Sequence, residues 1–212
     1  MTVVIVEPTY PDRREAPKEK MSYDEFLAWS DDKTFAEWVD GDVHIMSPVS
    51  RPHQEISLFL SRLLAEFTEA NDIGQIFTAP FQMRLTTVAR GREPDLLFVA
   101  KENEVRIQNT YLNGPADLAI EIISPESIMR DRGEKYAEYE SEGVREYWLI
   151  DPATDRADFF VLSEDHRYER VRPDASGIYS STVLDGLWLD INWLWSRPLP
   201  KLRDVIKAWE LR

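Results

Sequence analysis

The sequence predicts an α/β fold of the α+β kind, with a central mixed β-sheet flanked by helices and an antiparallel C-terminal meander. Three observations carry this. Helical and strand-like periodicities are interspersed along the chain. The short runs PDLLFVA, DLAIEIIS and REYWLID are apolar on both faces, as strands covered on each side are. Between the second and third lies one helix-length polar segment, the strand–helix–strand unit that implies a right-handed crossover. The chain has 212 residues, 43% of them hydrophobic and 11% aromatic, enough to fill one sizeable core.

In chain order, residues 1–20 are rich in Pro and charge and predict a flexible N-terminal arm; 21–212 are expected to form a single domain. SYDEFLAWSD reads as a short helix, with Ser22 and Glu25 spaced as a capping box. FAEWVDGDVHIMSP reads as two strands reversed at Asp40-Gly41, a hairpin signal. HQEISLFLSRLLAEFTEA places Ile56, Phe59, Leu60, Leu63, Leu64 and Phe67 on one helical face. QIFTAPFQMRLT is strand-like but broken at Pro80, and VARGRE reads as an Arg-bearing loop. After the first two buried strands, residues 126–143 predict a helix closed by Gly143. The third strand is followed by antiparallel strands in ADFFVL, RYERVR and IYSSTVL, and LPKLRDVIKAWELR predicts a final helix. Trp188, Trp193 and Trp195 are read as packing at the sheet's end.

Composition excludes several classes of function. No Cys is present, which removes disulfides, thiolate nucleophiles and Cys-ligated zinc, and suits a cytoplasmic location. No apolar segment reaches membrane-spanning length, and the apolar start has neither a basic region before it nor a cleavage pattern after it. The net charge of −14 argues against general affinity for nucleic acid, so any such affinity must come from local charge or metal ions. Gly-rich phosphate loops, a GxSxG elbow and zinc-ligand spacing of the three His are all missing.

The chemistry-bearing signal lies in two acids within buried strands. Glu121 sits inside DLAIEIIS, where an uncompensated carboxylate costs several kcal/mol. It lies roughly 10 Å before the strand's end, at about 3.3 Å per residue. Lys135 lies roughly 13 Å back along the returning helix, at about 1.5 Å per residue. The two are level, and a helical Lys leans toward its helix N-terminus. Asp95 begins the preceding strand, behind Pro94. If the two strands are neighbours, their carboxylates face one cleft, where a hard divalent cation would relieve their repulsion. Two carboxylates, such a cation and an ammonium form an apparatus for phosphodiester hydrolysis.

This pattern resembles the active-site signature of the PD-(D/E)XK nucleases. More closely, EWVDGDVHIMSP, RPHQEI, REPDLLFV, DLAIEIISPES and RDRGEKYAEYESEGVREYWLIDP resemble the bacterial Uma-two family of restriction-endonuclease-like proteins. The resemblance implies a restriction-endonuclease-like fold and an endonuclease acting on DNA. Asp95 and Glu121 would bind Mg²⁺ or Mn²⁺, and Lys135 would be the catalytic lysine. The superfamily's lysine usually follows the second acid by two residues, a place held here by Ile123; its role would pass to the helix. Glu37 and His53 also sit in family-like motifs, Glu37 as an accessory acid and His53 as a contact to a metal ligand or to the substrate. Apart from the resemblance, Arg92 and Arg130 are among the basic groups near the cleft in sequence; they could touch phosphates or balance the acidic surface.

Each residue also has a structural account. Glu121 could pair with a core Arg such as Arg92, and Lys135 with Asp131 on the surface. Asp95 could only turn the chain, and Glu37 and His53 could be packing or capping residues. The net charge of −14 and Ile123 in the usual lysine place motivate a second reading, a non-catalytic, nuclease-like interaction or regulatory module, a homodimer with its acidic surface reserved for a protein partner.

Overall fold

The computed structural model describes residues 15–31, 34–45, 49–125 and 127–210. Most of the expected arm, Met46 to Pro48 of the expected second strand, Glu126 and the last two residues lie outside the described residues. The end of the arm is docked: Lys20 Nζ donates to the Asp40 carbonyl and pairs with Asp42 at 3.0 Å.

Helix α1 (Tyr23–Trp29) starts with the expected capping box, Ser22 and Glu25 satisfying each other's backbone N–H. Strands β1 (Ala36–Val39) and β2 (Asp42–Ile45) pair antiparallel around Asp40 and Gly41. Both turn residues have positive φ, 52° and 91°, as a two-residue type I′ hairpin requires. Helix α2 (Arg51–Asn71) is capped by Ser50, which accepts the His53 N–H, and its predicted apolar stripe is buried from Ile56 to Leu64.

The interrupted strand proves to be two, β3 (Gly74–Thr78) and β4 (Gln82–Leu85), in different sheets on either side of the cis Ala79–Pro80 bond. The expected VARGRE loop contains a strand, β5 (Arg90–Arg92), bonded between β1 and β4. There follow β6 (Leu96–Ala100), a 3₁₀ turn, β7 (Tyr111–Asn113) and β8 (Leu118–Ile122).

The expected helix over 126–143 is regular only in its second half, α3 (Lys135–Glu142), where Gly143 at φ 87° ends it. Before it, residues Arg130–Glu134 form a π turn. The cause is local. The Tyr147 hydroxyl donates to the Asp131 carbonyl, and the Lys135 N–H bonds the Arg130 carbonyl, one residue further back than an α-helix allows.

The chain continues through β9 (Glu146–Asp151), β10 (Arg156–Leu162) and β11 (Tyr168–Val171). Of the expected meander, β10 and β11 extend the main sheet, whereas β12 (Ile178–Ser180) pairs with β13 (Trp188–Asp190) as a separate ribbon. Helices α4 (Asn192–Trp195) and α5 (Leu202–Glu210) follow.

Six strands form the main mixed sheet, in the order β11-β10-β9-β8-β6-β3, with β8 and β9 parallel as the crossover requires. Five more form a second sheet, β2-β1-β5-β4-β7. Period-two alternation divides the main sheet's residues between two cores. Leu96, Phe98, Leu118, Ile120 and Ile122 meet α2 and the C-terminal helices on one face. Leu97, Val99, Ala119 and Ile123 meet Met83, Leu85, Leu112 and Tyr139 on the other. Glu121 shares the second face with Ala119, which aims its carboxylate at α3.

Candidate active site

Strands β6 and β8 are antiparallel neighbours with Leu96 opposite Ile120, so Asp95 and Glu121 do reach one place. Both line a cavity of about 110 Å³ together with His53, Glu93, Asp131 and Lys135. Asp95 Oδ2 accepts the Ile122 N–H at 2.7 Å and lies 3.2 Å from His53 Nε2. The α2 N-terminus is thereby tied to the start of β6.

Lys135 is the centre of the cluster. Its Nζ lies 2.9 Å from Glu121, 2.8 Å from Glu37 and 3.6 Å from Asp131. Glu121 Oε1 also accepts the Tyr139 hydroxyl at 2.8 Å. Glu121 therefore pairs with the helix lysine and not with Arg92. The Asp131–Lys135 pair, expected on the surface, is buried. The π turn and the α3 turn after it present Asp131, Lys135 and Tyr139 to the same side.

Arg92 departs from its expected place. It is fully buried and holds Glu37 at 2.9 Å and both oxygens of Glu138 at 2.8 Å, with Glu134 at 3.3 Å. With its donors committed to carboxylates and no part in the cavity lining, it is not placed to touch a ligand directly. Arg130, partly exposed, lines the cavity, and its buried Nε has no hydrogen-bond partner.

Three contributors were not singled out from sequence. Asp131 has a buried Oδ1 without a hydrogen-bond partner, facing the cavity. Glu93, next to Arg92 in the REPD stretch, has Oε1 bonded by Gln82 at 2.6 Å and Oε2 unpartnered. Tyr139 stands one helical turn from Lys135, and that spacing was its only sequence signal.

Electrostatics follow from how the cations are shared. Burial alone would raise the Glu37 carboxyl, but Lys135 and Arg92 outweigh it and hold it at about 2. Glu121 goes the other way: burial raises it to about 8, since Lys135 must offset Asp131, Asp95 and Glu37 as well. Burial also lifts Glu93 to about 8. For Lys135, burial disfavours the ammonium, but Glu121, Glu37 and Asp131 prevail and raise its pKa. The cavity holds more carboxylate than cation.

Glu37 yields a pH prediction. Its folded pKa is depressed from 4.5 to about 2, so its contribution is present above pH 4.5 and lost as pH falls toward 2. Thermal unfolding of Glu37→Gln, followed from pH 6 to pH 2, is expected to show a shallower acid-side loss than the wild type. Parallel curves would show that Glu37 gains nothing from its partners.

The donor set suits a hard divalent cation. Asp95, Glu121 and Asp131 offer oxygen atoms to one cavity, where the buried Asp131 Oδ1 accepts no hydrogen bond from the described residues and meets Lys135 and Arg130 only at 3.6 and 3.9 Å. Among the described residues no group of three carboxylate or imidazole side chains stands ready-made at metal-ligand spacing.

Comparison with known proteins bears on this geometry. A family model described as "Uma2: Putative restriction endonuclease" matches residues 23–192. An uncharacterised Synechocystis protein, slr1290, is 24% identical over 152 residues, covering 71% of this chain and 78% of that one. The crystal structure of a "putative nuclease belonging to DUF820" from Anabaena variabilis superposes with a TM-score of 0.66 at 20% identity. It covers 82% of this chain and 97% of its own. That likeness establishes the restriction-endonuclease-like fold.

Proposed function

Since the chain belongs to the Uma2 family, we propose that it is a divalent-metal-dependent endonuclease that hydrolyses DNA phosphodiester bonds. The observation that carries this reading is the convergence of Asp95, Glu121 and Lys135 on one cavity with an excess of carboxylate. Asp95 and Glu121 would hold Mg²⁺ or Mn²⁺, with Asp131 available through water. A bound divalent cation supplies Lewis acidity toward a phosphoryl oxygen and lowers the pKa of a coordinated water. Lys135 orients the attacking water and offsets the charge that develops on the phosphorane. Glu37, clamped by Arg92, holds that ammonium in place, and Tyr139 steadies the Glu121 carboxylate. His53 fixes Asp95 and faces the incoming strand, and Arg130 is the cation placed to meet a phosphate. Among the described residues no helix is long and apolar enough to cross a membrane, and a cytoplasmic site of action suits the Cys-free chain.

Plasmid nicking in Mg²⁺ or Mn²⁺ tests the reading. The wild type is expected to nick supercoiled DNA, and Asp95→Ala and Glu121→Ala to lose at least about 10²-fold in rate. Calorimetric titration with Mn²⁺ should show a site that disappears in Asp95→Asn. Equal nicking by all variants would point to a contaminant. A folded wild type that binds no divalent ion at millimolar concentration would favour the non-catalytic module.

A further inference from the structure

The catalytic cavity does not end at Asp95. His53, Asp95, Phe35 and Val49 also line a second cleft of about 370 Å³, whose floor is the α2 face Gln54, Ser57, Leu58 and Ser61. Those positions follow helical spacing, so they form one continuous strip. Leu58, 61% exposed, passes into a third cleft of about 550 Å³ between α2 and the segment before α5. There the chemistry changes. Its lining holds Arg51, Arg62, Arg197 and Lys201 against one carboxylate, Glu55, already paired with Arg51 at 2.7 Å. Arg62 and Lys201 are exposed, and among the described residues neither is matched by a carboxylate. In a chain of net charge −14, such a local reversal of sign next to a hydrolytic cavity is a selective feature.

We propose that this strip is the track for the flanking nucleic-acid backbone. The scissile phosphate lies at Asp95 and Glu121, the sugar edge crosses Ser57 and Ser61, and a distal phosphate reaches Arg62 and Lys201. From His53 to Arg62 the track covers roughly 14 Å of helix, at about 1.5 Å per residue. Laid along the duplex axis, that corresponds to about four base-pair steps, at about 3.4 Å of axis for each phosphate of one strand. The polar side chains of Gln54, Ser57 and Ser61 suit a sugar–phosphate edge. Contacts to the backbone of this kind supply affinity and register. The track rests on the nuclease reading and adds the site's direction and its dependence on substrate length.

The test compares wild type, Arg62→Glu/Lys201→Glu, and a control, Arg167→Glu/Arg172→Glu, flanking β11 at the opposite edge of the main sheet. Duplex binding is measured in EDTA as a function of salt, and turnover of bis(p-nitrophenyl) phosphate in Mn²⁺. The track variant is expected to bind a 20-base-pair duplex at least about tenfold more weakly at 100 mM salt. Its slope of log K against log salt should be shallower by about 1.8, or about 0.9 for each phosphate that is no longer neutralised. Turnover of the small ester, which fills only the cavity, should be unchanged. Duplex affinity and slope equal to wild type would overturn the track while leaving the nuclease standing. So would an equal loss in the control, or a change confined to the sedimentation coefficient, which would mark the strip as an interface between copies of the chain. Failure of the wild type to cleave or bind DNA would remove the nuclease reading and the track with it.

Discussion

Lys135→Met is expected to stop plasmid nicking altogether within a detection range of about 10²- to 10³-fold, the loss seen when one preorganised charge donor leaves a reacting centre. The ammonium is the common partner of Glu37, Glu121 and Asp131, so its removal has a second effect. Breaking a buried ion pair from one side costs about 3–5 kcal/mol, and thermal unfolding should report it. Lys135→Arg separates the two effects. It restores charge and much of the stability, but its planar fork cannot point a single donor into the cavity as an ammonium does, so activity stays low. A folded Lys135→Met that nicks DNA at the wild-type rate would reduce the residue to an ion-pair centre.

Arg92→Leu carries the other large effect, on stability. Its guanidinium is fully buried between Glu37 and Glu138, and Glu37 has no exposure of its own. Removing it leaves Lys135 as the main counter-charge to a carboxylate already competing with Glu121 for that ammonium. The expected loss is about 3–5 kcal/mol, or roughly 10 °C in Tm for a chain of this size. Mn²⁺ affinity should change far less, because Arg92 does not line the cavity. A melting temperature unchanged within about 2 °C would show that neighbouring cations or water take over its role.

What could be read from the residues divides along physical lines. Asp95, Glu121 and Lys135 were legible because an acid inside an apolar strand demands a partner, and two known rises per residue locate one. That argument does not always end in a site. Glu146 is equally buried, yet Trp148, Tyr179, Ser181 and Thr182 satisfy it with hydrogen bonds, and among the described residues no cation pairs with it. Only the surrounding groups separate the two cases, and they come from distant parts of the chain. Arg92 was placed at the substrate because it belongs to an Arg-rich loop in the one-dimensional reading. In three dimensions that loop is β5, and pairing between β1 and β4 turns the side chain inward. The separation of β3 from β4 into two sheets was half visible, since Pro80 marks a break but not its destination. Glu93 was missed, and Asp131 was read only as a surface partner of Lys135, because each borrows its burial from neighbours across the cavity.

The lysine's placement on a helix, and not on its strand, depends on the π turn at Arg130–Glu134. Were the same residues to tighten to ordinary α geometry, everything after them would change angular phase by about 100°. Lys135 and Tyr139 would then swing away from Glu121 together. Gly133, whose surroundings leave room for a methyl group, can change identity freely. In this cluster the wide turn acts as a fixed spacer, tolerant of spelling and dependent on its pitch.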